Sequence, residues 1–239
     1  MRVDRFCQSV TGDPRASHEL ARTRNRYPMA VQFNFFEKQK NDSQHDPSFP
    51  GGFRYQRDFI DRADEISLVE RIAQLPFREF EFHGYLGKRR VVSFGWQYDY
   101  SGQRLREAEH IPEYLLGLRS LAASFARLEP EALQQVLVTE YALGAGIGWH
   151  RDKAVFGEVV GISLLAPCVL RFRRKLTNKP TRAQRGSAQW ERLNLLTEPR
   201  SAYLLSGPSR SNWEHSILRV NELRYSITFR KVLEASKKR

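Results

Sequence analysis

The residues best equipped for chemistry lie in the last third of the chain. His150 and Asp152 stand two apart in GWHRD, and His215 follows in WEHSI. Two histidines and one carboxylate are the ligand set of a mononuclear non-haem iron(II) centre, which keeps positions open for other ligands. The H-x-D spacing suits a strand or its edge, because residues i and i+2 point to the same face. His150 and Asp152 then reach one metal together, and His215 arrives from a distant strand folded back beside them. Iron that activates oxygen also needs an electron source. Arg224, on a strand after the second histidine, can hold a dicarboxylate co-substrate through a bidentate pair. Tyr141, upstream of His150, can add a hydroxyl hydrogen bond. Ser226 and Arg230 share a strand face with Arg224, and Ser163 is a further hydroxyl candidate.

Each of these signals is weak alone. A lone histidine or arginine is more often a solvated side chain or a satisfied core residue, and a surface cation near the chain end is the lesser alternative for Arg230. The combination carries the iron reading. His-x-Asp is preceded by a tyrosine-bearing strand at 136–141. Alternating segments follow at 159–165, 169–174 and 201–205, then His215, then Arg-x5-Arg in a strand that alternates.

The stretches TEYALGAGIGWHRDK (139–153), EHSI (214–217) and RYSITFR (224–230) resemble the AlkB family of Fe(II)/2-oxoglutarate-dependent dioxygenases. KRRVVSFGWQYDYSG (88–102) resembles that family's nucleotide-recognition region, close to the hydroxylase domain of its eukaryotic transfer-RNA-modifying members. The likeness covers residues 52–232 and not the first fifty. It implies that 2-oxoglutarate chelates iron through its keto acid end and pairs its far carboxylate with Arg224. It further implies that O2 takes the remaining position and that Arg230 helps order the site. The implied activity is oxidative dealkylation of alkylated bases in DNA, and in RNA, as in repair of DNA damage, with release of an aldehyde, succinate and CO2. A transfer-RNA-modifying hydroxylase and a protein demethylase are the alternatives of the same chemistry. Three features depart from the family pattern: Thr139 where Asn is common, Ala154 where the founding bacterial enzyme has an acid, and a short stretch between His215 and Arg224. None touches the metal triad, so they bear on substrate choice.

The substrate surface is expected around 88–100. It mixes Lys88, Arg89 and Arg90 with Phe94, Trp96, Tyr98 and Tyr100, and in one continuous strand the four aromatics fall on one face. Aromatic faces stack an extruded base while cations hold phosphates, so Trp96 or Tyr98 is expected to stack and Arg89 and Arg90 to bind the backbone. The competing interpretation is a core strand with aromatic packing.

The elements that must position these residues read as a mainly β fold with flanking helices (α+β). After Glu131 the chain is mostly short alternating strands, which favours a sandwich or jelly roll; the resemblance implies a double-stranded β-helix (jelly roll) core. A strand is expected near Phe53. A helix follows at 61–75, capped by Asp61 or Asp64, with Ile66, Val69, Ile72 and Leu75 as its stripe and Pro76 as its end. A second spans 112–128, with Pro112 in its first turn and Leu115, Leu118, Leu121, Ala122 and Phe125 buried. Residues 1–50 read as a partly flexible N-terminal extension in which only AVQFNFF (30–36) is sticky enough to dock. Residues 51–239 read as the dioxygenase domain, with a basic, mobile loop at 177–189.

The 239 residues suffice for one domain with a sizeable core. No apolar run approaches the ~20 residues of a membrane helix, no signal-peptide core opens the chain, and two cysteines make no disulfide framework. A cytoplasmic, monomeric protein without a membrane partner is the expectation. A net charge of +12 makes a polyanion, nucleic acid, the natural partner.

Overall fold

A computed structural model describes residues 48–82, 85–176 and 189–234. These belong to one of the chain's two compact units, residues 33–239; the other, residues 1–32, lies outside the described residues. So do most of the expected N-terminal extension with its 30–36 segment, and loop 177–188.

Seven antiparallel strands form the larger sheet. Their order is β1 (Phe53–Gln56), β11 (Ala202–Leu205), β8 (Phe156–Leu164), β13 (Arg224–Val232), β6 (Leu133–Tyr141), β3 (Tyr85–Phe94) and β2 (Arg78–Phe82). A second sheet runs β10 (Trp190–Thr197), β9 (Cys168–Lys175), β12 (Glu214–Ile217), β7 (Ile147–His150). The pair β4 (Trp96–Asp99) and β5 (Arg104–Glu107) stands apart. From β6 to β13 the chain passes back and forth between the two larger sheets, apart from the β9–β10 pair that stays within the smaller one, as in a jelly roll. No helix among the described residues is long and apolar enough to cross a membrane.

Period-two alternation assigns the faces of the larger sheet. Val136 and Val138 of β6, Tyr225, Ile227 and Phe229 of β13, and Val160, Ile162 and Leu164 of β8 share one core with Leu68 and Ile72 of helix α1 (Arg62–Ile72) and Leu115, Leu118 and Ala122 of helix α2 (Glu113–Ala126). Each such side chain contributes roughly 1.5–3 kcal/mol on burial. The helices therefore brace the outer face. The residues between, Thr139 and Tyr141, Arg224 to Arg230 at every second position, and Ser163, point the other way. There Tyr141, Val159 and Tyr203 meet Leu170, Phe172 and Ile217 of the smaller sheet in a second core. The polar site thus lies between the sheets.

The helices differ in detail from the periodicity reading. Asp61 does cap α1, accepting a hydrogen bond from the Asp64 N–H at 2.8 Å, but the helix stops at Ile72, before Pro76. Ile66 is half exposed, and the buried stripe is Glu65, Leu68, Ile72 with Val69 beside it. The acid hides this face in the sequence: Glu65 is buried because Arg200 donates to it at 3.1 Å and the Leu165 N–H at 2.9 Å. Pro112 stands at the N-cap of α2 rather than inside it, and Arg127 ends that helix in the left-handed conformation.

The continuous aromatic strand expected over 88–100 does not form. β3 ends at Phe94, and Gly95 turns the chain with φ +72°. A Cβ at Gly95 would lie 2.1 Å from the Gln134 carbonyl oxygen, so only glycine fits this close approach. Phe94 goes to the helix-side core, whereas Trp96 and Tyr98 pack against Leu105, Phe156 and Val232.

Candidate active site

β7 and β12 pair antiparallel, with His150 directly opposite His215 and their rings 4.2 Å apart. Asp152 follows just past the end of β7. One potential ligand atom from each of the three lies within 4.8 Å of the others. The His150 Nδ1–H donates to the Gly148 carbonyl at 2.9 Å, which fixes the tautomer and leaves Nε2 free as a metal ligand. Burial, then the neighbouring His150, pushes His215 down to about 3. Burial likewise lowers His150. Both imidazoles are neutral at neutral pH, the form that binds metal without first losing a proton.

Burial would raise the Asp152 carboxyl, but Arg230, His215, His150 and Arg210 outweigh it and hold the group well below the usual carboxylate range. Its two oxygens differ. Oδ1 accepts from Arg230 Nη2 at 3.3 Å. Oδ2 is buried without a hydrogen-bond partner among the described residues, 3.8 Å from His215 Nε2. An orphaned buried acceptor costs roughly 1–3 kcal/mol. A divalent cation beside the two imidazoles satisfies it, so these residues fit Fe(II).

The arginines of β13 are arranged for an anion. Arg224 is fully buried; its Nε and Nη2 donate to Ser163 Oγ at 3.2 and 3.0 Å, and its guanidinium lies 4.8 Å from the Tyr141 ring centre. Nη1 is buried with no hydrogen-bond partner among the described residues. Desolvation works against the charge, but Cys168, Tyr141 and Tyr203 more than compensate and raise its pKa. A buried guanidinium with a free donor and, among the described residues, no carboxylate bonded to it fits the far carboxylate of 2-oxoglutarate. Ser226 is buried opposite Ser163 across the β13–β8 pair, yet Ser163 supplies the hydroxyl that meets the guanidinium. Arg230 is no surface cation: it bridges Gln135 Oε1, at 3.0 Å, and Asp152.

The triad opens into a cleft of about 1080 Å³, lined in part by Arg89, Tyr98, Tyr100, Tyr141, Lys153 and Arg230. Arg89 lies 3.8 Å over the Phe80 ring. Tyr98 and Tyr100 meet edge to face at 5.0 Å, and the Lys153 ammonium sits 5.1 Å from both ring centres. Two expected substrate residues are elsewhere. Arg90 lies on the helix side of β3, donating to both Glu140 oxygens at 2.7 and 3.0 Å; adjacent strand residues cannot share a face. Trp96 is spent on packing beside Leu105 and does not line the cleft.

Three residues escaped the sequence reading. Lys153 adjoins Asp152, and that adjacency was the available signal. Tyr203 lines the cleft opposite Gly161, whose missing side chain makes room for its ring. Arg210, in the short helix α3 (Gly207–Ser211), donates to the carbonyls of Lys153, Phe156 and Gly157 at 2.6, 2.9 and 3.2 Å. It pins the segment just after Asp152, a contact with no signature in sequence.

Residues 52–230 match the 2OG-Fe(II) oxygenase superfamily. The chain belongs to that superfamily. Within it this is an AlkB-family oxygenase, to judge by its relatives. An Arabidopsis thaliana protein described as an alkylated DNA repair protein ALKBH8 homolog is 27% identical over 62% of this chain and 50% of its own length. A Xenopus tropicalis protein described as tRNA (carboxymethyluridine(34)-5-O)-methyltransferase alkbh8 is 23% identical over 84% of this chain and 31% of its own. The oxygenase chain thus spans half or less of these curated relatives. The solved structure of OsALKBH1 superposes with a TM-score of 0.53 at 17% identity, over 75% of this chain and 96% of that one, which supports the jelly-roll fold.

The AlkB-family cofactors are Fe(II), 2-oxoglutarate and O2. Together, when bound, they supply an oxidant for a substrate C–H bond, with 2-oxoglutarate leaving as succinate and CO2. His150, Asp152 and His215 are placed to hold the metal on one side. Arg224, with Ser163 beside it, would meet the co-substrate's far carboxylate, and Arg230 keeps Asp152 ionised and in place.

Proposed function

We propose that this oxygenase oxidatively removes alkyl groups from the bases of nucleic acid, DNA foremost. The observation that carries this reading is the Tyr98–Tyr100 pair under the Lys153 ammonium, in the same cleft as the triad. Aromatic faces hold an extruded base and the nearby cation its phosphate. Hydroxylation of an N-methyl group gives a hemiaminal that breaks to formaldehyde and the parent base. Each turnover consumes one O2 and one 2-oxoglutarate and yields succinate, CO2 and the aldehyde.

A second reading is hydroxylation of a transfer-RNA base. It is favoured by the two ALKBH8-named relatives, one of which carries transfer RNA in its description. Mass spectrometry of methylated single-stranded DNA, duplex DNA and transfer RNA after incubation with Fe(II) and 2-oxoglutarate separates the two. Dealkylated base with equal formaldehyde and succinate is the expected result. A transfer-RNA base gaining one oxygen without aldehyde favours the second reading, and oxidation of none of these polymers excludes both.

A further inference from the structure

Beside β7 lies a second groove, of about 670 Å³, lined by Lys88, Arg171, Arg219 and the backbone around Gly144, Gly146 and Gly148. Among the described residues its lining holds three cations and no carboxylate. Lys88 and Arg219 are exposed, and neither forms an ion pair among the described residues. Arg171 spends its Nε on Ser216 Oγ at 3.0 Å, a neutral partner that leaves the charge uncompensated. Gly146 lets the two walls close up: a Cβ there would lie 2.8 Å from the Ile217 carbonyl oxygen and 3.1 Å from the Arg219 nitrogen. Gly148, by contrast, faces open space.

The groove is continuous with the iron cleft. Gly146, Ile147 and Gly148 line both. Trp149, a cleft residue, carries the Arg171 guanidinium 4.7 Å from its ring centre and that of Arg173 at 4.5 Å. Cation and aromatic side chains therefore run from the groove to Trp149, one residue before His150 on β7. Uncompensated cations along a groove suit a repeating anion rather than an apolar partner.

The geometry points to a phosphodiester-binding groove: the strand that delivers its base to the iron continues over β7, and Lys88, Arg171 and Arg219 hold the phosphates flanking the target. This rests on the nucleic-acid reading above. It makes substrate length matter, because a very short oligonucleotide reaches the cleft without filling the groove.

The test uses the full chain with Fe(II) and 2-oxoglutarate under anaerobic conditions. The probes are a fluorescent single-stranded dodecamer with a central methylated base, as DNA and as RNA, and a trinucleotide with the same base. The double variant Lys88→Glu, Arg219→Glu should bind the dodecamer about tenfold or more weakly, with a salt slope shallower by roughly 1–2. Its trinucleotide affinity should stay near the parent's, and Arg219→Lys should keep parent affinity for the dodecamer. Equal dodecamer binding by parent and double variant overturns the groove while leaving the cleft reading intact. An equal loss on both probes, or an Arg219→Lys as weak as the Glu variant, also overturns it, since the effect is then not one of flanking charge. A parent that binds neither probe sinks the groove and the nucleic-acid reading together.

Discussion

Asp152 divides its work between its oxygens: Oδ1 is tied to Arg230, and Oδ2 is left for a cation. His150→Ala, Asp152→Ala or His215→Ala should abolish succinate formation and Fe(II) uptake. Far-ultraviolet circular dichroism should stay close to the parent's, because none of the three anchors the apolar cores. Substantial turnover by any of them would count against the metal assignment. Arg224 poses a different case. Arg224→Ala removes a charge-assisted partner of 2-oxoglutarate, at a cost on the order of 1.5–3 kcal/mol. The apparent 2-oxoglutarate constant should rise about tenfold or more, with Fe(II) affinity nearly unchanged. Equal constants in variant and parent would remove the residue from that role.

At the scale of elements, the Phe94–Tyr98 stretch shows how one glycine redirects a strand. With φ +72° and Gln134 in the way, Gly95→Ala should cost roughly 2–3 kcal/mol or more, read as a lower denaturant midpoint. A variant as stable as the parent would mean the turn relaxes freely. Beyond that turn, β4 sorts its aromatics by task. Trp96→Ala should lose roughly 1–3 kcal/mol of stability, below the cost for a fully buried tryptophan, and turn over substrate normally where folded. Tyr98→Ala should depress turnover of a methylated oligonucleotide by roughly 1–3 kcal/mol of lost stacking while 2-oxoglutarate is still consumed uncoupled. Identical behaviour of the two variants would show that packing, not the cleft, governs both.

Across the whole molecule, charge sets how a polyanion is met. The net charge is +12, yet many arginines are committed internally: Arg90 to Glu140, Arg173 to Glu214, Arg200 to Glu65, Arg230 to Asp152. The groove beside β7 offers three cations with no carboxylate partner among the described residues, Lys88, Arg171 and Arg219, so nucleic-acid binding through it should depend on salt more gently than total charge suggests. About three phosphate contacts to a single strand give a slope near −2, or roughly a twenty-fold loss from about 50 to about 200 mM salt. A titration of oligonucleotide affinity against salt reads this directly. A slope several times steeper would mean that cations beyond the groove also contact phosphate.

What the sequence determined by itself was local or periodic. H-x-D puts two ligands on one side of a strand end, and alternation in RYSITFR separates Arg224 and Arg230 from the apolar Tyr225, Ile227 and Phe229. The amphipathic stripe of α2 was legible for the same reason. The tertiary structure decided whatever depends on a neighbour distant in sequence. Ser163 rather than Ser226 meets Arg224 because β8 lies alongside β13. Arg210 reaches the segment after Asp152 only once α3 is folded beside it. Arg90 turns away from the cleft because Glu140 awaits it on the helix side, and Glu65 enters the apolar stripe of α1 because Arg200 comes to meet it. A buried charge is stable only beside its partner, and the partner's position belongs to the fold, not to the local pattern.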